Sequence, residues 1–588
     1  MANNTILNPS RNRLDYGKIL NYGDNYKLDF AICATYSLDF DSLILASISL
    51  DLSEEFDTNL MDNPISLLKE LRNTSDKIAL FCESGQISCP ANQRKVYILL
   101  EDMVFPVLTS KKFQNNRYAS FHPKFWLIRY KKDENIRYRI IVSSRNLTFN
   151  RSWDISFTMD GKVNDNQTDK NDAIIVFLKY LMEHSNNHEK TNKIGEILME
   201  LKYVHFDLNS DIFSDYDFII NGVEEDNYEI QNQPLFKEVW ERLFIMTPFL
   251  SKQVISNFNK KINPNSNSIL ISQSNSLEKL KKDDCNNFKI YCLRDEIVVG
   301  ESHFSEEGDD SLNQDIHAKI YACEKNNFCE LYLGSLNASS NALGGNIELM
   351  IKLTSKNLTV DKLSQDIFNN GKDNPFEEFT IKPYVLDDED EEEDMAFIIK
   401  HIIRLNPKAK IIPNGDFYNI EVEFDDNPFN DLDIGLRPLL SVNSQKFSKK
   451  IIFENLNKLL LSEFFIINVD GLEKVIKVPT IGMPKDRQNE VISNIIKDEY
   501  AFIEYLALLF GDDYYFNLIQ SDMERDTEFN RLFNVQLSEL YEKMLQASLY
   551  NPEKFDDIAT IIESLSDKNI VPDGFDELYN AFLGVITK

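Results

Sequence analysis

The chain is poor in residues that would staple or metallate a fold. Cysteine occurs seven times in 588 residues, an odd number, and no CxxC pair is present. A disulfide framework or a structural zinc site is therefore not expected. No run of about 18 apolar residues occurs, which argues against a membrane span. The opening MANNTILNPSRNRLD lacks the apolar stretch of a signal peptide. A reduced, cytoplasmic location is the expectation. No GxxxxGK followed by Ser or Thr is present, so this chain has no P-loop motor of its own. Positive charge is scarce: 63 Lys and Arg stand against 95 Asp and Glu, a formal net charge of −32. The molecule as a whole repels polyanions, so a polyanionic partner would need a local basic surface.

Apolar side chains are not lacking. They make up 43% of the chain, with 40 Phe and 24 Tyr, enough for large buried cores. The length suggests about three to four domains. Residues 43–51, 79–87, 243–250 and 268–272 read as buried strands, separated by helical stretches such as 64–73 and 234–244. The alternation predicts α/β lobes, one over 1–215 and one over 216–385. The block LDDEDEEED within 386–395 reads as a solvated linker. Beyond it, 396–588 reads as an α+β accessory domain. It has four strands, 418–424, 449–454, 463–469 and 474–479, then helices over 498–510 and through Leu532, Val535, Leu537, Leu540, Tyr541, Met544 and Leu545.

Two of only seven histidines open nearly parallel phrases. FHPKFWLIRY…YRIIVSSRNLT supplies His122, Lys124, Ser144 and Asn146. IHAKIYAC…CELYLGSLNASSN supplies His317, Lys319, Ser335 and Asn337. In each, His-x-Lys precedes a strand-like run, and a second run ends in a Ser-x-Asn turn. The spacing suits a hairpin. Side chains alternate across a strand, so His and Lys share a face, and Asn at the end of the neighbour reaches the same point. A nucleophile or acid beside two donors makes a phosphate site. With two copies, one histidine can attack phosphorus while the other protonates the leaving oxygen.

These phrases resemble the phospholipase D superfamily over about residues 1–385. The resemblance implies two pseudo-symmetric lobes with mixed sheets flanked by helices and a site between them. It also implies a phosphohistidine intermediate and no metal or other cofactor. His122 is assigned as nucleophile and His317 as general acid, an order open to reversal. Lys124, Lys319, Asn146 and Asn337 are assigned to the phosphoryl oxygens, supported by Ser144 and Ser335. Family members use an acid downstream in each copy to orient a histidine, which points to Glu348 and, less directly, Asp154. Members with the full HKD pattern carry Asp five residues after Lys. Here that position holds Arg129 and Glu324, a departure closer to the nuclease and tyrosyl-DNA phosphodiesterase branches.

The stretch 111–151 is rich in Lys and Arg, with Asp133 and Glu134 its only acids. It reads as a footprint for a phosphate backbone. Trp126, Tyr321 and Arg145 are candidates to bind substrate, the two aromatics by stacking bases. His184, His188, His205, His303 and His401 show no ligand spacing. The reading is a metal-independent nuclease acting on nucleic acid, with DNA favoured, in the setting of a restriction or anti-phage defence system. The implied partner is a separate helicase or ATPase, with no membrane; a homo-oligomer stays open. Alternatives are a phospholipid hydrolase or transferase, a phosphodiesterase that repairs protein–DNA adducts, and a non-catalytic scaffold.

Overall fold

Each His-x-Lys phrase runs into β-branched and aromatic residues that suit a strand buried on both faces. In the computed structural model both runs are strands, each the first arm of a hairpin. The structure describes Leu7 and residues 16–23, 25–51, 63–113, 118–149, 152–223, 227–264, 266–294, 315–369, 374–381, 391–429, 432–510, 543–548, 552–565, 567–572 and 574–586. The chain is a mixed α/β structure that divides into two compact units. One comprises 1–53, 77–89 and 103–403; the other comprises 54–76, 90–102 and 404–588.

The first unit holds both lobes. Its strands are β1 (Lys27–Thr35), β2 (Ile78–Glu83), β3 (Ile87–Ser88), β4 (Val104–Val107), β5 (Phe125–Lys132), β6 (Asn135–Ser143), β7 (Ser152–Trp153), β8 (Ser156–Val163) and β9 (Val204–Asp207), followed by those of the second lobe. These are β10 (Asp215–Asn221), β11 (Arg242–Met246), β12 (Ser268–Ile271), β13 (Phe288–Leu293), β14 (Asp315–Ile316), β15 (Ile320–Lys325), β16 (Phe328–Gly334), β17 (Glu348–Ser355) and β18 (Phe376–Glu378). The sheets run β4-β2-β1-β5-β6-β8-β9 and β10-β17-β16-β15-β11-β12-β13-β18. Within them, β2-β1-β5-β6-β8 and β12-β11-β15-β16-β17 repeat one plan: a parallel pair, then three antiparallel steps. One buried cluster contains Ile32, Leu127 and Ile140 of the first sheet together with Phe244, Ile320 and Leu331 of the second. The lobes thus share a core, and each fully buried aliphatic side chain in it contributes about 1.5–3 kcal/mol.

Several elements differ from the sequence reading. The run at 43–51, expected as a strand, lies in a helix, Phe40–Asp51. A continuous apolar run fits a buried helix as well as a buried strand. Here β1 must cross over to its parallel neighbour β2, which a helix accomplishes. In 234–244 only Pro234–Lys237 is helical, and β11 takes over from Arg242 because it lies between β12 and β15. The expected linker is helical from Glu391, within a helix Glu391–Arg404; residues 386–390 lie outside the described residues.

The second unit is α+β, as expected. Its strands are β19 (Lys408–Asn414), β20 (Phe417–Glu423), β21 (Ile434–Pro438), β22 (Gln445–Lys446), β23 (Lys450–Leu456), β24 (Phe464–Val469), β25 (Leu472–Lys477) and β26 (Thr480–Ile481). β23-β20-β19-β26 form one sheet, and β22-β21-β24-β25 run side by side in another. Its helices include Arg487–Ile495, Glu499–Phe510, Glu553–Ser564 and Phe575–Ile586. Of the helix expected through Leu532–Leu545, only Met544 and Leu545 fall within described residues, in a helical stretch; Leu532, Val535, Leu537, Leu540 and Tyr541 lie outside them.

The contiguous partition read from the sequence differs from these units because two early segments join the second one. Helix Pro64–Thr74 starts at Asn63, whose side-chain oxygen accepts from the N–H groups of Ile65 (2.9 Å) and Ser66 (3.1 Å) and whose amide donates to Glu504 (2.6 Å). Glu101 is buried against Arg487 and accepts from Ser462 Oγ (2.7 Å). Nothing in the local sequence of 54–76 or 90–102 announces partners some four hundred residues away.

Candidate active site

The two phrases converge through backbone hydrogen bonds that cross between the lobes. His122 N–H donates to the Ile347 carbonyl (2.9 Å), and His317 N–H donates to the Trp153 carbonyl (2.9 Å). β14 pairs in parallel with β7, and Phe121 bridges Ile347 in the same sense. Ile347 and Trp153 each precede an acid, so each histidine is set beside the acid of the other lobe. His122 Nδ1 lies 3.0 Å from Glu348 Oε2, and His317 Nδ1 lies 2.8 Å from Asp154 Oδ1. Each acid is held by the serine of its own lobe. Ser144 Oγ donates to Asp154 (2.7 Å) and Ser335 Oγ donates to Glu348. These serines in turn accept the N–H groups of Ile155 (2.9 Å) and Leu349 (3.0 Å), the residues that follow the acids.

The lysines are sealed beneath the histidines. Lys124 is 1% exposed and Lys319 0%. Lys124 Nζ donates to the His122 carbonyl (2.8 Å), and Lys319 Nζ to the His317 carbonyl (2.6 Å). Asn146 Oδ1 accepts from Ser37 N–H at 3.4 Å; Asn337 is buried and its side-chain oxygen has no hydrogen-bond partner. Both histidines, both lysines and both acids therefore gather at one place.

Electrostatics couples them. Burial lowers Lys124 well below the usual range, and the nearby Lys319 ammonium adds to this. Lys319 is lowered to about 7, chiefly by burial. Burial and then Lys124 and Lys319 lower His122 well below its ordinary value. His317 falls to about 3, through burial and Lys319, against the pull of Asp154. The two acids part company. Burial raises Glu348 to about 8 despite Lys124 and Ser335, and its Oε1 makes no hydrogen bond. Burial also opposes ionisation of Asp154, but hydrogen bonds from His317, Ser152 and Ser144 outweigh it and hold the carboxyl at about 2. A site that buries two lysines and two imidazoles is built to receive negative charge.

Other expectations fare differently. Trp126 (2% exposed) and Tyr321 (0%) are core side chains, and Tyr321 Oη donates to the Leu336 carbonyl (3.0 Å). They have no face available to stack a base, so that role is corrected: strand alternation at i+4 here leads into the sheet interior. Arg145 leans on the same lobe, 3.8 Å from Asp154 Oδ2 and donating to the Thr148 carbonyl (3.3 Å). Within the basic stretch, Arg129 is tied to Asp29 and Glu200, and Arg139 to Asp160. Glu324 accepts the Val360 N–H (2.9 Å) at the start of helix Val360–Ile367. Arg129 and Glu324 thus serve as struts within each lobe. His303 lies outside the described residues.

Sequence reasoning missed a second internal repeat. At the end of β1, Thr35 Oγ1 donates to the Ser37 carbonyl (2.8 Å) and accepts the Leu147 N–H (3.0 Å). After β11, Thr247 Oγ1 donates to the Phe249 carbonyl (2.9 Å) and accepts the Ala338 N–H (3.2 Å). TYSL at 35–38 and TPFL at 247–250 are thus equivalent turns bracing the two Ser-x-Asn loops. The signal was a short T-x-x-L phrase at the carboxyl end of the parallel-pair strand in each lobe, where sites of α/β folds lie. The tyrosine of the first phrase matters: the Tyr36 ring lies 4.9 Å from the His122 ring, and Lys124 Nζ lies 5.5 Å from its centre.

No protein-family model matches the chain, and no curated protein does. Among solved structures it is similar to polyphosphate kinase from Porphyromonas gingivalis, with TM-score 0.34 and 11% identity over 66% of this chain and 50% of that one. It is also similar to phosphatidylserine synthase from Haemophilus influenzae Rd KW20, with TM-score 0.33 and 10% identity over 66% of this chain and 89% of that one. The chain thus matches half the length of the kinase. Among the described residues, no helix is long and apolar enough to cross a membrane.

Proposed function

We propose that this chain is a phospholipase D-type phosphodiesterase that cleaves nucleic acid, with DNA the favoured substrate, through a phosphohistidine. The observation that carries the reading is the exchange of acids between lobes: His122 with Glu348 and His317 with Asp154. One lobe alone would leave its histidine without an acid, so the two halves form a single reacting unit.

In this reading His122 Nε2 attacks phosphorus and the P–O bond to the leaving group breaks. His317 gives its proton to the departing oxygen. His317, now neutral, then takes a proton from water, whose oxygen attacks the phosphohistidine and frees His122. Ionised Asp154 suits His317 for the proton shuttle because it stabilises the imidazolium. Near neutral pH Glu348 is largely protonated and leaves His122 uncharged, as a nucleophile requires. Lys124, Lys319, Asn146 and Asn337 surround the phosphoryl oxygens. In the free protein His317 is neutral at pH 7; a phosphodiester anion between the lysines raises its affinity for a proton.

The replacement of the HKD aspartates by Arg129 and Glu324 favours nucleic acid over lipid as substrate. A role as the cytoplasmic nuclease of a restriction or anti-phage system, beside a separate helicase or ATPase, completes the proposal. The test is cleavage of single- and double-stranded DNA in EDTA. Activity is expected to persist, since the two buried lysines, which gain their protons as the phosphodiester anion binds, would stabilise the phosphoryl charge in place of a metal cation. Loss in chelator with rescue by Mg²⁺ would overturn the mechanism.

A further inference from the structure

A cleft opens beside the candidate active site, on the Tyr36 side of His122. It encloses about 800 Å³ of space, part of it open to solvent, and Tyr36, Phe113, Tyr118, Phe397 and His401 line it. Tyr36 thus has two neighbours, the His122 ring and the cleft. Asn346 lines the cleft as well, and its side-chain oxygen accepts the Ser120 N–H (2.9 Å). The cleft therefore begins one ring's width from the group assigned to attack phosphorus.

The far wall is the helix Glu391–Arg404. Phe397 is 38% exposed, and its ring lies 4.2 Å from that of His401; Tyr118 stands edge-on to His401 at 6.3 Å. The wall is anchored. Lys400 Nζ lies 2.5 Å from Glu83 Oε1 and donates to the Ala119 carbonyl (3.1 Å) and Ser120 Oγ (3.2 Å). Glu83 is buried, and its other oxygen accepts the Phe121 N–H (2.7 Å), one residue before His122. Gly85 has φ +83°, and a side chain there would strike Ile403 and Ile399 of the helix. The close approach fixes the aromatic wall against the loop that carries the nucleophile.

We propose that this cleft receives an unstacked base next to the scissile phosphate, so that the substrate is single-stranded nucleic acid or a frayed end. Three features point to a base. Several π-faces border one space, and stacking on them accepts any base. The amides of Gln86 and Asn341 lie on the same lining and can meet base edges. The space also adjoins a site of two buried lysines and two imidazoles suited to phosphate, as a nucleotide requires. A base within a duplex is stacked and paired and has no free face for the cleft. This inference rests on the phosphodiesterase reading, and its test keeps the two apart.

The experiment compares the full-length wild type with a Phe397→Ala/His401→Ala double variant. Neither residue belongs to the assigned catalytic set, and circular dichroism confirms that the variant folds. Substrates are a single-stranded DNA, the matching RNA, the DNA duplex, and a single strand in which tetrahydrofuran replaces the bases. For the wild type, KM should be roughly tenfold higher on the abasic strand than on the normal one. The double variant should show the higher KM on both, with kcat little changed. In parallel, 2-aminopurine in the single strand should change fluorescence on binding to wild type, but not to the variant and not within the duplex. Equal KM for normal and abasic strands, or an unaltered 2-aminopurine response in the variant, would overturn the base subsite. A fluorescence response without product would instead fault the phosphodiesterase reading. The RNA arm decides whether the sugar is discriminated.

Discussion

The two lobes carry the same backbone plan but different electrostatics. Around His317, the acid Asp154 accepts hydrogen bonds from Ser144, Ser152 and the imidazole, and it ionises readily. Around His122, the acid Glu348 is 1% exposed, has one oxygen with no hydrogen-bond partner, and holds its proton up to about pH 8. Tyr36 flanks His122, while the equivalent position in the second lobe is Pro248. A duplicated site can thus divide labour without changing its reacting groups. In the proposed mechanism, the number of donors to each acid and the depth of its burial would set one histidine as a proton shuttle and the other as a nucleophile.

The strongest way to break this comparison is to remove each histidine. His122→Ala and His317→Ala should each lower kcat/KM by about 10³-fold or more, and the double variant should be scarcely worse, because the pair acts as one unit. The difference should show with a good leaving group. His317→Ala should accumulate a covalent adduct on His122, seen by mass spectrometry, whereas His122→Ala should form none. An adduct on His317 would reverse the roles, and full activity in either variant would show that the lobes do not share a site.

The acids sharpen the contrast. Asp154→Asn should cost about 10²–10⁴-fold in activity, since an ionised partner of the proton shuttle is lost. Glu348→Gln should cost clearly less, because Glu348 already carries a proton near neutrality. Stability should respond in opposite directions. The Glu348 pKa is raised by folding, so its contribution is full below about 4.5 and lost as pH rises toward about 8. The Asp154 pKa is depressed, so its contribution is present above about 3.8 and lost as pH falls toward about 2. Melting temperatures across pH should show wild type losing ground to Glu348→Gln on the alkaline side. Matching pH profiles for the two proteins would refute the high pKa.

The smallest expected effect tests the symmetry itself. Thr35→Val and Thr247→Val each leave a buried N–H, that of Leu147 or Ala338, without its acceptor. Each should cost about 1–3 kcal/mol in chemical denaturation. A loss in only one lobe would mean that the turns are not equivalent.

The sequence by itself picked out the groups of the candidate site. His122, Lys124, Asn146, His317, Lys319 and Asn337 are legible because a catalytic phrase is local: period-two strands and a short turn fix which residues share a face. Four strands of the second unit, β20, β23, β24 and β25, were legible for the same reason. What lies between distant segments was not. Only the tertiary structure decided that Asp154 serves His317 and Glu348 serves His122, because that exchange depends on how two lobes meet. It also decided that Trp126 and Tyr321 are core, that 43–51 belongs to a crossover helix, and that helix Glu391–Arg404 walls the cleft beside His122. Burial, and the pKa values that follow from it, are properties of packing, and a linear pattern records which residues can be buried without recording against what.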